Sequence, residues 1–143
     1  MPRPAPELLD PARYPHHCRL EPRFCDVDTN MHVNNVALAD LLQEGRVRFH
    51  RASAYDRALR GMSAMTVSFS VEYLGQVYYP EPIDVHTGAL DIGRTSHTMG
   101  QLVLQGGRVV AFARTVVVCV KDDRPVENCP EFVETVREWM IAA

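Results

Sequence analysis

The chain has 143 residues, of which 15 are Lys or Arg and 18 are Asp or Glu, so its formal net charge at pH 7 is -3. This length suits one domain with a hydrophobic core, and the slightly acidic balance argues against a dedicated nucleic-acid-binding surface. No apolar run is long enough to span a membrane, and residues 1–6 lack the apolar segment of a signal peptide. We therefore expect a single domain over residues 1–143 that resides in the cytoplasm.

The cysteine pattern predicts reduced thiols and no metal site. The sequence contains four cysteines: Cys18, Cys25, Cys119 and Cys129. They form neither a Cys-x-x-Cys pair nor a zinc-like spacing, which favours mostly structural thiols. His16 and His17 precede Cys18, but adjacent side chains of an extended segment point to alternate faces and do not converge on one ion. We expect Cys25 to be packed at the end of a strand.

Hydrophobic periodicity predicts the first elements in chain order. Residues 1–15 contain five prolines and are expected to form an irregular N-terminal arm, after which residues 18–25 form a first strand. A stripe of residues at steps of four and three then predicts a long helix: Leu38, Leu42, Gly45, Phe49 and Ala52. A glycine inside a helix costs ~1 kcal/mol relative to alanine, so Gly45 suggests that this helix lies close against another backbone.

Four strands and a closing helix follow. Apolar and polar residues alternate over 65–73, which predicts a half-buried strand with Met65 and Phe69 on the same face. Three further strands are predicted: 83–92, 96–104 and 109–120. A closing amphipathic helix carries apolar residues at helical spacing: Phe132, Val136 and Trp139. These elements predict an α+β domain in which a curved antiparallel sheet buries the long helix.

Residues 26–35 carry the strongest functional signal of the chain, with the sequence Asp-Val-Asp-Thr-Asn-Met-His-Val-Asn-Asn. They place two carboxylates, a histidine and the start of the long helix close together. A helix N-terminus has unpaired backbone N–H groups and the positive end of the helix dipole, so it can hold an anion or the developing oxyanion of a carbonyl reaction. Asp28 lies seven residues before Asn35, close enough for the loop to fold back over that terminus.

Within this segment, Asp-x-Asp is followed by His-Val-Asn-Asn and then by the long helix. The pattern resembles the signature loop of the hotdog-fold acyl-CoA thioesterases of the 4-hydroxybenzoyl-CoA thioesterase type, and the order of elements also matches. The resemblance implies a hotdog fold, in which a curved antiparallel sheet of about five strands wraps around a long central helix and a short C-terminal helix follows. The chain departs from the family at Met31, where many relatives have glycine, and at Leu38, where an aromatic residue is common.

By this resemblance, the protein is expected to hydrolyse acyl-CoA thioesters to the free acid and coenzyme A without a metal ion or a redox cofactor. Asp28 would be the catalytic carboxylate, either as nucleophile or as general base on water, and the backbone N–H of Asn35 would polarise the thioester carbonyl. His32 is a further candidate catalytic residue, with a scaffold role in the loop as its alternative. Asn34 is a candidate substrate contact that is also explained as a helix cap.

The turn between the predicted strands 83–92 and 96–104 resembles the family segment that meets coenzyme A, commonly from the neighbouring subunit. Arg94 is the candidate contact for the phosphates and Ser96 for the pantetheine, while a solvated turn arginine is the alternative interpretation. The family also pairs sheet edges between subunits, so we expect a homodimer or a homotetramer.

Two nearby carboxylates are interpreted as structural. Asp26 is expected to brace the loop rather than to act as a second catalyst. Glu44 lies roughly 13 Å from Asn35 at helical rise, too far to assist Asp28, and is expected to pair with Arg46 or Arg48.

Two other functions stay open. A hotdog hydratase or dehydratase would use His32 with a carboxylate to move protons at carbon, whereas a non-catalytic acyl-thioester binder would need no working Asp28. The placement of Asp-x-Asp before His-Val-Asn-Asn favours hydrolysis. Thioesters of an acyl-carrier protein are alternative substrates, and neither a nucleic-acid partner nor a membrane span is expected.

Overall fold

The computed structural model describes residues 3–143, which form six strands and three α-helices. The strands are β1 (His16–Leu20), β2 (Ser63–Tyr73), β3 (Ile83–Ile92), β4 (Ser96–Gln105), β5 (Arg108–Lys121) and β6 (Arg124–Pro125). The helices are α1 (Asn35–Ser53), α2 (Tyr55–Ala58) and α3 (Pro130–Glu138). Short 3-10 turns are found at Pro6–Leu9, Pro11–Arg13 and Phe24–Asp26.

The strands form one antiparallel sheet in the order β1-β3-β4-β5-β2, with the short β6 paired to β5. The apolar stripe of α1 packs on the inner face of this sheet, where Leu38 and Leu42 join Val85 and Val103 in the main core. A helix with one apolar stripe and a sheet with one apolar face bury each other, which produces the two layers. The predicted α+β arrangement with a long central helix and a short C-terminal helix is confirmed.

Gly45 marks the place where α1 comes closest to the sheet. A Cβ atom at this position would lie 3.1 Å from Cγ1 of Val85 and 3.1 Å from Nε2 of Gln101. The helix therefore lies close to the sheet at Gly45, but the nearest atoms belong to side chains of β3 and β4, so the prediction of a close backbone is wrong.

The first strand is shorter than predicted and includes earlier residues. It covers His16–Leu20, and the chain then passes Pro22, which has no N–H to donate to a sheet, into the turn Phe24–Asp26. The predicted strand over 18–25 is thus wrong at its end. Cys25 consequently lies in the turn and is exposed, so the prediction that it is packed is also wrong.

Strand β2 forms an edge of the sheet and contains a bulge. The register shifts between Thr66 and Ser68, so that Met65 pairs with Val118 whereas Phe69 pairs with Thr115. Because side chains alternate along β5, this shift places Met65 and Phe69 on opposite faces, contrary to the prediction from simple alternation. Met65 and the bulged Val67 are each 51% exposed.

The outer face of the sheet is covered by the two ends of the described chain. Tyr14 is buried and its hydroxyl donates to the carbonyl oxygen of Leu8 at 2.6 Å. Leu8 and Ile141 pack with Leu102 and Phe112 of the sheet in a separate apolar cluster. Among residues 3–143, no helix combines the length and the hydropathy needed to cross a bilayer.

Candidate active site

The loop before α1 is closed around the carboxylate of Asp28. Oδ1 of Asp28 accepts hydrogen bonds from the backbone N–H of Asn30 at 2.9 Å and of His32 at 3.1 Å. The backbone closes the same loop, since the N–H of Asp28 donates to the carbonyl oxygen of His32 at 2.9 Å. The residue is exposed, and its other carboxylate oxygen has no hydrogen-bond partner among residues 3–143. One oxygen is thus held in place while the other can meet a substrate.

Met31 has a backbone conformation that glycine adopts without strain. Its φ angle is 63°, in the left-handed region, where a residue with a Cβ atom is strained and glycine is not. The N–H of Met31 donates to the carbonyl oxygen of Asp28 at 3.0 Å, so this conformation is part of the tight turn. The chain forms the loop despite its departure from glycine.

The N-terminus of α1 lies directly after this loop. Asn34 is the N-cap, and its Oδ1 accepts from the N–H of Ala37 at 2.7 Å. Within the described part of the chain, the N–H groups of Asn35 and Val36 have no hydrogen-bond partner. They lie at the positive end of the helix dipole, where an anion is stabilised. The backbone N–H of Asn35 is therefore free to donate, as its predicted role requires.

A surface concavity of about 550 Å³ opens at this helix end. Its lining residues come from the 3-10 turn and the first turns of α1: Cys25, Asn34, Asn35, Val36, Ala37 and Asp40. Space for a ligand is thus present beside the unpaired backbone donors.

His32 supports the loop mainly through its backbone. It forms an isolated bridge with Tyr78, and its ring meets the Tyr78 ring edge-on with 5.0 Å between centroids. These contacts and the N–H that His32 donates to Asp28 give the residue a structural role in the loop.

The neighbouring Asp26 braces the loop, as interpreted from the sequence. It is only 3% exposed and accepts hydrogen bonds from the backbone N–H and the guanidinium of Arg23 at 2.7 and 2.9 Å. The side-chain hydrogen bond from Arg23 lowers the pKa of Asp26. Its carbonyl oxygen accepts from the N–H of Asn34 at 2.9 Å, which ties the loop to the cap of α1.

Glu44 also has the structural role that was predicted. Its carboxylate pairs with Arg48 at 2.8 Å across one helical turn, and both side chains are half exposed. Arg46 takes no part in this pair, since its Nη1 donates instead to Oε1 of Gln101 at 3.1 Å.

Arg94 and Ser96 lie at the opposite end of the molecule from Asp28. Arg94 lies in the turn that follows β3 and Ser96 begins β4, whereas the loop of Asp28 pairs with Tyr78, which precedes β3. Ten extended residues span ~30 Å, so one chain does not bring these residues to the same substrate. Arg94 is 76% exposed and pairs with Glu127 at 3.1 Å.

Gln105 is a supporting residue that the sequence did not indicate. It is 4% exposed, its Oε1 accepts from the N–H of Tyr78 at 2.8 Å, and its Nε2 donates to the carbonyl oxygens of Tyr78 at 2.8 Å and Glu81 at 2.9 Å. Because Tyr78 pairs with His32, Gln105 holds the segment against which the loop of Asp28 rests. A glutamine before a Gly-Gly hairpin gives no sequence signal for this role.

Residues 3–143 contain no group of three His, Cys, Asp or Glu side chains arranged to hold a metal ion.

Comparison with known proteins identifies the family. Residues 22–140 match the thioesterase-like superfamily. The match covers most of the chain, and the protein therefore belongs to this superfamily. A comparison with curated proteins found no match.

Several solved structures share the fold. A predicted thioesterase from Bacillus stearothermophilus is 26% identical over 89% of this chain and 97% of its own, with a TM-score of 0.79. A thioesterase from Thermus thermophilus, in complex with coenzyme A and zinc, is 25% identical over 88% of this chain and 94% of its own, also with a TM-score of 0.79. A DHNA-CoA thioesterase from Staphylococcus aureus is 18% identical over 85% of this chain and 88% of its own, with a TM-score of 0.75.

These findings confirm the hotdog fold and the family that the sequence resembled. They also support thioester hydrolysis as the general activity.

Proposed function

We propose that the protein hydrolyses acyl-CoA thioesters to a free acid and coenzyme A, with Asp28 as the catalytic carboxylate. The observation that carries this proposal is the placement of Asp28, held by two backbone donors, in the loop that leads into the unpaired N–H groups of α1. The Thermus relative in complex with coenzyme A supports coenzyme A as the leaving group.

The arrangement supplies what thioester hydrolysis needs. The reaction requires a nucleophile at the carbonyl carbon and a donor for the carbonyl oxygen, whereas the thiolate of coenzyme A is a stable leaving group. The N–H of Asn35 would donate to the oxygen as negative charge develops there. Asp28 would supply or activate the nucleophile.

Two routes fit Asp28. As a nucleophile, its carboxylate oxygen bonds to the carbonyl carbon, the C–S bond breaks, coenzyme A leaves as a thiolate, and water cleaves the resulting anhydride. As a general base, Asp28 takes a proton from a water molecule whose oxygen attacks the carbonyl carbon directly. A burst of thiol release that precedes acid release indicates the anhydride, while simultaneous release indicates the general base.

We also propose that the working site forms between subunits of a homodimer or homotetramer. Strand β2 is an edge with exposed side chains such as Met65 and Val67, and an exposed edge favours pairing with another strand. A second subunit would supply Arg94 to the phosphates and Ser96 to the pantetheine, which a single chain cannot do.

The proposed location of the protein is the cytoplasm. The four free cysteines agree with this reducing compartment.

The direct test is thiol release from a panel of acyl-CoAs by the wild type and by Asp28→Asn. Asparagine retains an oxygen that accepts from Asn30 and His32, so the loop is expected to keep its conformation while the carboxylate is lost. We expect release to fall at least about a hundredfold, which corresponds to ~2.7 kcal/mol of barrier.

Glu44→Gln serves as the matched control, because it removes another carboxylate of the same region and breaks only an exposed ion pair. Equal release by the wild type and Asp28→Asn would reject the role of Asp28. Release only from acyl-carrier-protein thioesters would replace coenzyme A as the substrate carrier, and binding without release would favour a non-catalytic acyl-thioester binder.

A further inference from the structure

Arg46 is a partly buried cation without an acidic partner. Its Nη1 donates to Oε1 of Gln101 at 3.1 Å, and its guanidinium carbon lies 5.0 Å from the centroid of the Phe69 ring. Among residues 3–143, Arg46 forms no salt bridge, whereas other arginines pair with Asp or Glu. Burial lowers the pKa of Arg46, and no carboxylate opposes this effect.

The hydrogen bond to Gln101 fixes the guanidinium in place. Gln101 is fully buried, and its Nε2 donates to the carbonyl oxygen of Leu42 at 3.0 Å and to Oγ1 of Thr87 at 3.3 Å. Its Oε1 is therefore oriented towards Arg46 by the other end of the same amide. A guanidinium has five N–H donors, so most of those of Arg46 stay available in a fixed orientation.

An apolar strip connects Arg46 with the proposed catalytic helix end. The hydroxyl of Tyr73 lies 3.4 Å from the carbonyl oxygen of Asn35, and Phe69, which contacts Arg46, precedes Tyr73 by four residues on the same face of β2. Four strand residues span ~13 Å. Val71 lies between the two aromatic residues and packs on the main core. An acyl group that extends from the helix end along β2 would therefore reach Arg46.

A bound anion would neutralise the positive charge of Arg46. A partly desolvated guanidinium without a partner has lost hydration, and a carboxylate that reaches it gains charge-assisted hydrogen bonds, often two in parallel. A methyl group at the same place would leave the cation unpaired. The site thus favours an acyl group with a negative charge at its far end.

We propose that Arg46 binds a carboxylate at the end of the acyl group remote from the thioester, so that the preferred substrates are coenzyme A thioesters of dicarboxylic acids. This inference rests on the proposed thioesterase function and names its substrate class. With ~3 Å taken by the hydrogen bond, ~10 Å remain for the chain, and at ~3.6 Å for three bonds this corresponds to about eight bonds. Suberyl-CoA and sebacyl-CoA, with about seven and about nine carbon–carbon bonds between their terminal carbonyl carbons, bracket this length.

The test compares kcat/KM for suberyl-CoA and sebacyl-CoA with the values for octanoyl-CoA and decanoyl-CoA, which differ only in the terminal carboxylate. We expect the wild type to prefer the carboxylate-bearing member of each pair at least about tenfold, since one charge-assisted pair is involved. In Arg46→Met the ratio should fall to about one, while the exposed control Arg48→Met should retain it. A ratio near one in the wild type, or the same ratio in both variants, would overturn the proposal.

A binding measurement separates this proposal from the hydrolysis itself. Calorimetry with non-hydrolysable coenzyme A thioethers should show that the wild type binds the analogue that ends in a carboxylate more tightly than the one that ends in a methyl group, and that Arg46→Met loses this difference. If no thioester is hydrolysed but the difference persists, the proposed function fails while the assignment of Arg46 stands.

Arg46→Lys covers the case in which the methionine variant does not fold. Lysine keeps the charge but not the fork of two donors, so a reduced preference for the carboxylate should remain. If both variants instead change the oligomeric mass in light scattering and the wild type has no preference, the carboxylate comes from a second copy of the chain and the proposal is wrong.

Discussion

The buried histidine His97 predicts a loss of stability in acid. It lies on β4, is 3% exposed, and its ring contacts those of Tyr55 and Phe132 at centroid distances of 5.7 and 5.1 Å. Its Nε2 has no hydrogen-bond partner among residues 3–143. Burial, with a smaller effect of the charge of His50, lowers the pKa of His97 from 6.5 to about 4.

The sign and the size of the effect follow from proton linkage. Between the two pKa values the unfolded chain binds a proton at His97 that the folded protein does not, so the free energy of unfolding decreases as the pH falls from 6.5 towards 4. A pKa difference of this size corresponds to about 3 kcal/mol at 1.36 kcal/mol for each unit. His16, His50 and His86 also have lowered pKa values and contribute with the same sign.

The variant His97→Phe isolates the contribution of this residue, because phenylalanine has a similar volume and no proton to bind. Urea unfolding at pH 7, 6, 5 and 4 would give the free energy of unfolding of both proteins. The stability of the wild type relative to the variant should fall by about 3 kcal/mol across this range. Two parallel profiles would instead show that His97 has the same pKa in the folded and unfolded protein.

Three substitutions test the loop and the helix. Met31→Gly should raise the free energy of unfolding by about 1 kcal/mol in thermal or urea unfolding, because it relieves a positive φ angle. Gly45→Ala should lower it by about 1 kcal/mol, because the added Cβ would lie 3.1 Å from two side chains of the sheet and this outweighs the gain in helix propensity. Gln105→Met should lower it by about 2 kcal/mol and accelerate hydrogen exchange at the N–H groups of Tyr78 and His32, because it leaves buried backbone groups unpaired. A change in the free energy of unfolding of the opposite sign would contradict the explanation given for that substitution. Unchanged hydrogen exchange in Gln105→Met would contradict the role of Gln105.

Much of the fold follows from local patterns in the sequence. The stripe from Leu38 to Phe49 predicts α1 because a helix repeats every 3.6 residues, and the four later strands follow from alternation or from short apolar runs. The cap at Asn34 was predictable because an asparagine side chain directly before a helix can accept from its first N–H groups.

The structure differs from the sequence-based predictions at positions whose conformation depends on residues far away in the chain. The bulge at Val67 leaves no mark in composition, and simple alternation placed Met65 on the wrong face. The buried positions of Gln105 and His97 depend on segments far away in the sequence. The separation of Arg94 from Asp28 likewise follows from the length of β3 and the direction of the chain.

The proposed cleavage of a thioester by the carboxylate of Asp28 is tested by kcat for coenzyme A release, measured for Asp28→Asn and the wild type at saturating substrate. The urea unfolding curves of the two proteins should be compared in parallel. If Asp28 is the catalytic carboxylate, kcat should fall at least about a hundredfold in Asp28→Asn with little change in stability. Equal kcat values in two equally stable proteins would contradict it.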